Sequence, residues 1–143
     1  STNQTITRLV LSGLDAGPEG FIALGDAFKK NPGNKVCELD LSDNKMGERG
    51  IAGLSSGLMT IQHGLTIFNI GKNGITPKGI ASLISSLRAN SQVSGTIVEL
   101  DLSQNKFESV GSQAFSDWVM LYIISLPPSL PPPPQKKTKL CLF

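Results

Sequence analysis

Hydrophobic residues recur along the chain in a fixed frame. The segment from Val36 to Met46 has apolar residues at its first, fourth, sixth and last positions and an asparagine at its ninth. Two later copies keep the frame, at Leu65, Phe68, Ile70, Asn73 and Ile75, and at Ile97, Leu100, Leu102, Asn105 and Phe107. An earlier copy, Ile6, Leu9 and Leu11, has Leu14 in place of the asparagine. The copies begin 30, 29 and 32 residues apart, which indicates a repeat architecture.

A second segment with helical spacing follows each copy. Its apolar and small residues lie about four apart, at Gly20, Leu24 and Phe28; Gly50, Leu54 and Leu58; Gly79, Leu83 and Leu87; and Gly111, Phe115 and Val119. This spacing puts one stripe on a helix. Pro18 and Thr76-Pro77 are typical helix starts, and Asn31-Pro32-Gly33 and Asn90-Ser91 are typical stops. We predict a helix in each copy and a polar loop over residues 91–96.

Alternation in the first segment predicts a short strand, because side chains of a strand point to opposite faces. Stacked strands would form a parallel sheet with the helices behind it. The asparagines Asn44, Asn73 and Asn105 should turn inward and bond backbone groups that burial would leave unpaired. The predicted fold is an α/β leucine-rich-repeat solenoid of ribonuclease-inhibitor-like type, with its sheet on the concave side and its helices on the convex side. About four repeats should occupy residues 1–120, followed by a proline-rich, non-repeat tail over residues 121–143.

Residues between the strand leucines should point to the concave face. The candidate protein-binding residues there are Arg8, Glu38, Asp40, Ile67, Asn69, Glu99 and Asp101. Two of the four strands carry paired carboxylates, which favours a docking strip for a basic protein surface. A solvated sheet face explains the same residues and is the commoner arrangement.

Candidate chemistry elsewhere in the chain is sparse. An open strip offers no enclosed pocket in which two carboxylates could act as acid and base. His63 is the single histidine, and Cys37 and Cys141 are far apart, so neither a zinc site nor a disulfide framework is indicated. Gly71, Gly74 and Gly79 do not form a phosphate loop. We predict no enzyme activity, no cofactor and no metal.

Charge and hydropathy narrow the partner class. The formal net charge of +2 does not indicate nucleic-acid binding. The longest apolar run, residues 118–126, is about half the length of a membrane span, and no signal peptide is evident. The expectation is a cytoplasmic protein that binds other proteins and does not insert into a membrane.

The tail departs from the repeat. Prolines at the density found after residue 126 disfavour helix and sheet and favour polyproline II. Pro131, Pro134 and Lys136 satisfy a PxxPxK pattern, which makes them a candidate SH3 ligand. A linker, or an end produced by alternative splicing, explains the tail equally well.

The stretch from about Thr7 to Trp118 resembles the CARMIL family, the leucine-rich regulators of actin capping protein. The matching words are Leu-Val-Leu-Ser-Gly-Leu from Leu9, Glu-Arg-Gly-Ile from Glu48, and Thr-Pro-Lys-Gly-Ile-Ala-Ser-Leu-Ile-Ser-Ser-Leu-Arg-Ala-Asn from Thr76. The segment from Ser91 to Thr96 before Ile97 is also similar. The general leucine-rich-repeat pattern also fits ribonuclease inhibitor, NOD-like receptors and tropomodulin.

The resemblance implies a scaffold at the actin-rich cell cortex whose partners are actin-regulatory proteins. The capping-protein motif of that family lies beyond its repeats, and nothing here matches it, so no capping-protein residues carry over. A truncated isoform would keep only the contacts that the repeats make. The alternative is a repeat module of a ribonuclease-inhibitor-like or NOD-like receptor protein that binds a ligand on its concave face.

Overall fold

The structure is a computed structural model that describes residues 3–107 and 139–142. Strands and helices alternate along the chain, and the described elements are β1 (Arg8–Val10), α1 (Gly17–Lys30), β2 (Glu38–Asp40), α2 (Gly47–Leu58), β3 (Ile67–Asn69), α3 (Pro77–Ala89), α4 (Ser91–Ser94), β4 (Glu99–Asp101) and β5 (Lys139–Cys141). The fourth predicted helix, with Gly111, Phe115 and Val119, lies outside the described residues, as do Pro131, Pro134 and Lys136.

The strands form one parallel sheet in chain order, β1-β2-β3-β4-β5. The register is regular, because the middle residue of each strand pairs with the middle residue of the next, along Leu9, Leu39, Phe68, Leu100 and Leu140. A parallel connection needs a crossover between strands, and α1, α2 and α3 provide it. The predicted leucine-rich-repeat solenoid of α/β class is confirmed.

The core lies between the sheet and the helices. Middle strand residues such as Leu39 and Phe68 are almost completely buried. They pack in one cluster with the apolar stripe of each helix, which includes Leu54 on α2 and Leu83 on α3. Burial of one such side chain stabilises the fold by about 1.5–3 kcal/mol. The core is therefore continuous from repeat to repeat.

A ladder of three buried asparagines, Asn44, Asn73 and Asn105, joins the repeats at the ends of the strands. The side-chain amide of Asn73 donates to the carbonyl groups of Leu41, Ile70 and Gly71 at 2.9–3.1 Å. Its side-chain oxygen accepts from the backbone N–H groups of Asn44 and Met46 at 3.2 Å. Asn44 and Asn105 repeat this pattern one repeat earlier and one repeat later, each bonding its own turn and the preceding repeat. The predicted structural role of these residues is confirmed.

The loop predicted over residues 91–96 instead contains the single helical turn α4. Its start is capped by Asn90, whose side-chain oxygen accepts from the backbone N–H of Gln92 at 3.2 Å. The amide group of Asn90 donates to carbonyl groups of the preceding repeat, Leu58 and Ile61, at 2.9 and 2.8 Å. Val93 is fully buried, which holds the turn against the core. The sequence analysis predicted a loop because the segment is mostly polar, and it did not recognise that Val93 would be buried and hold a helical turn in place.

Helices α1 and α2 approach each other closely where glycines face each other. A Cβ atom on Gly57 would lie 2.5 Å from the Cα of Gly25, and one on Gly25 would lie within 2.9 Å of the Gly53 backbone. Real Cβ contacts are essentially never that short. The absence of side chains at these positions therefore sets how closely the first two repeats stack.

Exposed ion pairs link neighbouring repeats on the helical side and in the turns. They are Asp15 with Lys45, Glu19 with Arg49, Asp43 with Lys72, and Glu48 with Lys78, at 2.8–2.9 Å. Hydrogen bonds from Lys78 and Thr76 lower the pKa of Glu48, and the same contact raises the pKa of Lys78. Such exposed pairs contribute little to stability, typically about 0–1 kcal/mol. These ion pairs favour the observed register of neighbouring repeats but contribute little to holding the repeats together.

Strand β5 was not predicted from the sequence. It comes from the end of the predicted tail and pairs with β4, where Lys139 N–H donates to Val98 O at 2.8 Å and Leu102 N–H donates to Cys141 O at 2.7 Å. Leu142 is buried in the core cluster, and Leu140 packs against it. Leu140 and Leu142 therefore correspond to Leu100 in β4 and to Leu102 directly after it. The proposed domain boundary at residue 120 stays a prediction.

Replacing Asn73 by alanine should lower the free energy of unfolding by about 3 kcal/mol or more, since it leaves several buried backbone groups without a partner. Chemical denaturation followed by circular dichroism measures this loss. Asn69→Ala is the control, because that side chain makes one hydrogen bond, at 2.9 Å to Gly71 N–H on the half-buried sheet face. Equal losses for the two variants would contradict the role of the ladder.

Replacing Leu142 by aspartate should release β5, because a carboxylate would enter the apolar core. The amide of Leu102 would lose its acceptor, and we expect its hydrogen exchange to accelerate at least tenfold in an NMR experiment. Lys139→Ala is the control, since it removes only an exposed ion pair with Glu99. An unchanged exchange rate in the Leu142 variant would mean that β5 does not cover this edge.

Candidate protein-binding surface

The side of the sheet that faces away from the helices carries two rows of side chains, which we call the concave face. Register pairs the first residues of the strands into one row, made of Arg8, Glu38, Ile67, Glu99 and Lys139. The third residues form the second row, made of Val10, Asp40, Asn69, Asp101 and Cys141. All seven residues that the sequence singled out as candidates thus lie together on this face.

The first row places a cation at each end and carboxylates inside. Arg8 Nε lies 3.4 Å from Glu38 Oε2, and Lys139 Nζ lies 3.1 Å from Glu99 Oε1. The hydrogen bond to Glu99 raises the pKa of Lys139, with smaller contributions from the charges of Cys141, Glu99 and Asp101. The cations of both pairs are largely exposed to solvent, and their carboxylate partners are partly exposed. A charged partner could therefore replace either cation at modest cost.

Side chains of the second row also form hydrogen bonds that stabilise the turns after the strands. Side-chain oxygens of Asp40, Asn69 and Asp101 accept from the backbone N–H two residues on, at 3.1, 2.9 and 2.8 Å respectively. This side-chain turn follows β2, β3 and β4, and it gives a partner to an N–H group that the asparagine ladder does not bind. Asp40 Oδ1 also accepts from the Ser42 hydroxyl at 2.7 Å. These carboxylates are fixed in place and present a negative charge without having to become ordered on binding.

Ile67 lies at the centre of the first row, between the two carboxylates. It borders a shallow depression of about 120 Å³ whose walls include Arg8, Glu38, Asp40, Asn69 and Glu99. Pockets for cofactors and drug-sized ligands are typically about 300–1,000 Å³. The depression matches a single side chain of a partner better than a small molecule.

Two residues of this face, Lys139 and Cys141, were missed by the sequence analysis because they belong to β5. The signal was present as the Leu-x-Leu spacing of Leu140 and Leu142, but it lies 40 residues after the corresponding position of β4, outside the interval of 29–32 residues. Lys139 alters the electrostatics, since it offsets one of the four carboxylates. On the described part of the face, four carboxylates and two cations leave a small negative excess.

Of the other candidate residues, His63 and Cys37 lie outside the two rows, whereas Cys141 belongs to the second row. The ring nitrogens of His63 lie 2.8 Å from Gly64 O and 3.1 Å from Asn34 Oδ1, so the ring joins two loops. Cys37 and Cys141 are both half-buried free thiols. Within residues 3–107 and 139–142, no three His, Cys, Asp or Glu side chains are grouped as a metal site would need. Over the same residues, no helix is long and apolar enough to cross a membrane.

The sheet, the crossover helices and the asparagine ladder define a leucine-rich-repeat protein, a class that binds other proteins. The sequence model of the Leucine Rich repeat family matches residues 35–55 and 63–83. The sequence is 29% identical over 105 residues to capping protein, Arp2/3 and myosin-I linker protein 3 of Homo sapiens, and 25% identical over 117 residues to protein CARMIL of Dictyostelium discoideum. The resemblance to a CARMIL repeat region, partial in extent, is confirmed.

Another relative has a different overall activity. The chain is 30% identical over 110 residues to the Rho GTPase-activating protein gacW of Dictyostelium discoideum. These matches cover 77%, 73% and 82% of this chain for gacW, the human linker protein and CARMIL, but only 10%, 8% and 11% of the relatives. The chain therefore spans about a tenth of the length of these relatives.

Substitutions of Asp101 should distinguish its role as a hydrogen-bond acceptor in the turn from its role as a negative charge on the concave face. Asp101→Ala should cost about 1 kcal/mol of unfolding free energy, because Ser103 N–H loses its partner, whereas Asp101→Asn keeps an oxygen acceptor and should be close to neutral. Thermal or urea unfolding of the two variants measures the difference. Equal destabilisation would show that charge, not the turn, is what matters at this position.

Proposed function

We propose that this chain is a protein-interaction scaffold that binds a basic segment of a protein partner on its concave face. The observation that carries the proposal is the arrangement of that face, where Glu38, Asp40 and Glu99 line the depression beside Ile67 and Asp101 lies in the second row of the same paired sheet. An acidic surface attracts basic partners and excludes acidic ones. The apolar centre would accept one aliphatic side chain of the partner.

The distance between the carboxylates favours partners whose basic side chains are spaced to match it. Glu38 and Glu99 lie in register on strands separated by β3, so their backbones are about 10 Å apart. An extended segment lying across the strands presents side chains of the same side about 7 Å apart, so basic residues that flank one apolar residue would be near these carboxylates. The pairs already made by Arg8 and Lys139 are exposed and exchangeable.

The relatives support an actin-regulatory partner. Two of them are named as a CARMIL protein and as a linker of capping protein, Arp2/3 and myosin-I. We propose that the chain works in the same setting, in the cytoplasm at the actin-rich cortex, through protein contacts and without catalysis. The candidate SH3 ligand at Pro131, Pro134 and Lys136 would add a second contact from outside the described residues.

Binding to purified capping protein, Arp2/3 complex and myosin-I, measured separately by biolayer interferometry, tests the partner. We expect at least one of them to bind with an affinity that falls as salt rises. The test variant combines Glu38→Gln, Asp40→Asn, Glu99→Gln and Asp101→Asn, which keep the size and the turn acceptors. We expect it to weaken binding at least tenfold, since it removes the charges that face the partner.

The matched control removes four carboxylates from the rest of the surface, by Asp15→Asn, Glu19→Gln, Asp26→Asn and Asp43→Asn. Each of these residues makes an exposed ion pair away from the concave face, and the change in net charge is the same. Binding should be nearly unchanged. Equal losses in both variants would reject the concave face as the site, and no binding to any of the three proteins would reject the actin-regulatory setting.

The second candidate is a repeat module like those of ribonuclease-inhibitor-like or NOD-like receptor proteins, with another ligand on the same face. It would be favoured if the concave variant lost binding to a different protein while the three actin regulators failed to bind. The similarity to a Rho GTPase-activating protein adds a Rho-family GTPase to the panel of partners to be tested.

A further inference from the structure

The central residue of the asparagine ladder has a chemical property that its counterparts lack. Asn73 is followed by Gly74, and this is the only Asn-Gly pair in the sequence. The other two ladder asparagines, Asn44 and Asn105, are each followed by a lysine. Glycine has no Cβ atom, so its backbone nitrogen can approach the side-chain carbonyl of the preceding residue without steric hindrance. For this reason, asparagine loses its side-chain amide most readily when glycine follows it.

The fold does not require glycine at this position. Gly74 has a φ of +66°, in the left-handed region. Lys45 stands at the same position of the second repeat and has a φ of +53°, so a residue with a Cβ atom is tolerated there. A Cβ atom on Gly74 would lie 3.7 Å from Lys106 Cε, an ordinary van der Waals distance, and no closer contact is found among the described residues. The glycine therefore makes Asn73 reactive without being needed by the turn.

The reaction at this pair is an intramolecular cyclisation. The backbone nitrogen of Gly74 attacks Cγ of Asn73, and the new C–N bond closes a five-membered cyclic imide. The side-chain nitrogen leaves as ammonia and takes the proton of the Gly74 N–H. One water molecule then opens either carbonyl of the imide, which yields aspartate or isoaspartate at residue 73. The reaction therefore needs water alone and changes no oxidation state.

The folded ladder holds Asn73 away from this reaction. Asn73 is 1% exposed, and its side-chain amide donates to Ile70 O and Gly71 O, which precede it in the chain. Its side-chain oxygen accepts from the N–H groups of Asn44 and Met46 in the preceding repeat. The side chain is thus directed backward along the chain, whereas the attacking nitrogen belongs to the next residue. Cyclisation requires these hydrogen bonds to break, so it requires the repeats to separate locally.

Conversion of Asn73 would prevent the ladder from forming again. Aspartate has no side-chain N–H, so its carboxylate would face the carbonyl oxygens that the amide now binds, those of Leu41, Ile70 and Gly71. A buried charge facing three acceptors is strongly unfavourable. Isoaspartate would also lengthen the backbone of the turn by one carbon.

We propose that Asn73 is a site of spontaneous modification that the stacking of the repeats protects, and that its conversion makes an opening of the central repeats irreversible. Chemical change of an opened chain competes with its refolding, and here the change strikes the residue on which refolding depends. The proposal concerns the ladder alone and holds whichever partner the concave face binds.

Mass spectrometry of the full chain, kept at neutral pH either folded or in concentrated guanidinium chloride, tests the protection. Trypsin releases residues 73–78 as one peptide, in which conversion of Asn73 is measured directly. We expect this conversion to be at least tenfold slower in the folded chain. In denaturant, Asn73 should convert at least tenfold faster than Asn44 and Asn105, which are the internal controls. Equal rates in the folded and unfolded chains would overturn the protection by stacking.

Gly74→Lys is the matched variant, because it gives the third repeat the Asn-Lys pair that the second and fourth repeats already have. It should fold as the parent chain does. In denaturant it should slow the conversion of Asn73 at least tenfold, to the rate of Asn44. Conversion at the parent rate would contradict the assignment of the reaction to the Asn-Gly pair.

Refolding tests the irreversibility. After incubation in denaturant until part of the chains are modified, the sample is diluted into buffer and digested briefly with a protease that cuts opened chains. Chains modified at residue 73 should be depleted at least tenfold from the protease-resistant fraction. Equal proportions of modified and unmodified chains in that fraction would overturn the proposal, since the ladder would then form without the Asn73 amide.

Discussion

The need to pair backbone groups where each strand ends is the constraint on which this structure depends. The chain leaves the sheet through a buried turn, and water cannot reach its N–H and C=O groups there. A single asparagine per repeat, such as Asn73, supplies two donors and an acceptor that reach both its own turn and the turn before it. Aspartate has no amide donor, and glutamine is longer by one carbon. One residue type therefore ties each of these turns to the turn of the preceding repeat.

The features that could be predicted from the sequence follow from physical requirements that recur in every repeat. The leucine frame, the helices after each strand and the role of Asn44, Asn73 and Asn105 followed from burial and pairing, which recur every 29–32 residues. The single turn α4 was not predicted, because its conformation depends on Asn90 reaching carbonyl groups of the preceding repeat. That contact exists only after the repeats have stacked. Strand β5 was not predicted because it is separated from β4 by a stretch without the repeat.

The concave face, too, could be predicted from the sequence only in part. Which residues share it could be read from alternation and register, since both follow from the strand itself. The partners of those residues could not be read in the same way. Arg8 with Glu38 and Lys139 with Glu99 are contacts between strands, and the turns closed by Asp40 and Asp101 use the side chains that the sequence analysis assigned to binding. The acidic residues are therefore partly structural, and a partner would meet a surface whose charges are already in position.

The uneven burial of the repeats bears on how the chain folds. Leu41 and Ile70 of the second and third repeats are completely shielded from solvent, while their counterpart in the first repeat, Leu11, is only partly buried. In a solenoid each repeat contacts only its neighbours, so structure can nucleate in one pair and spread outward. The second and third repeats, tied together by the buried hydrogen bonds of Asn73, are therefore the natural folding nucleus of this chain.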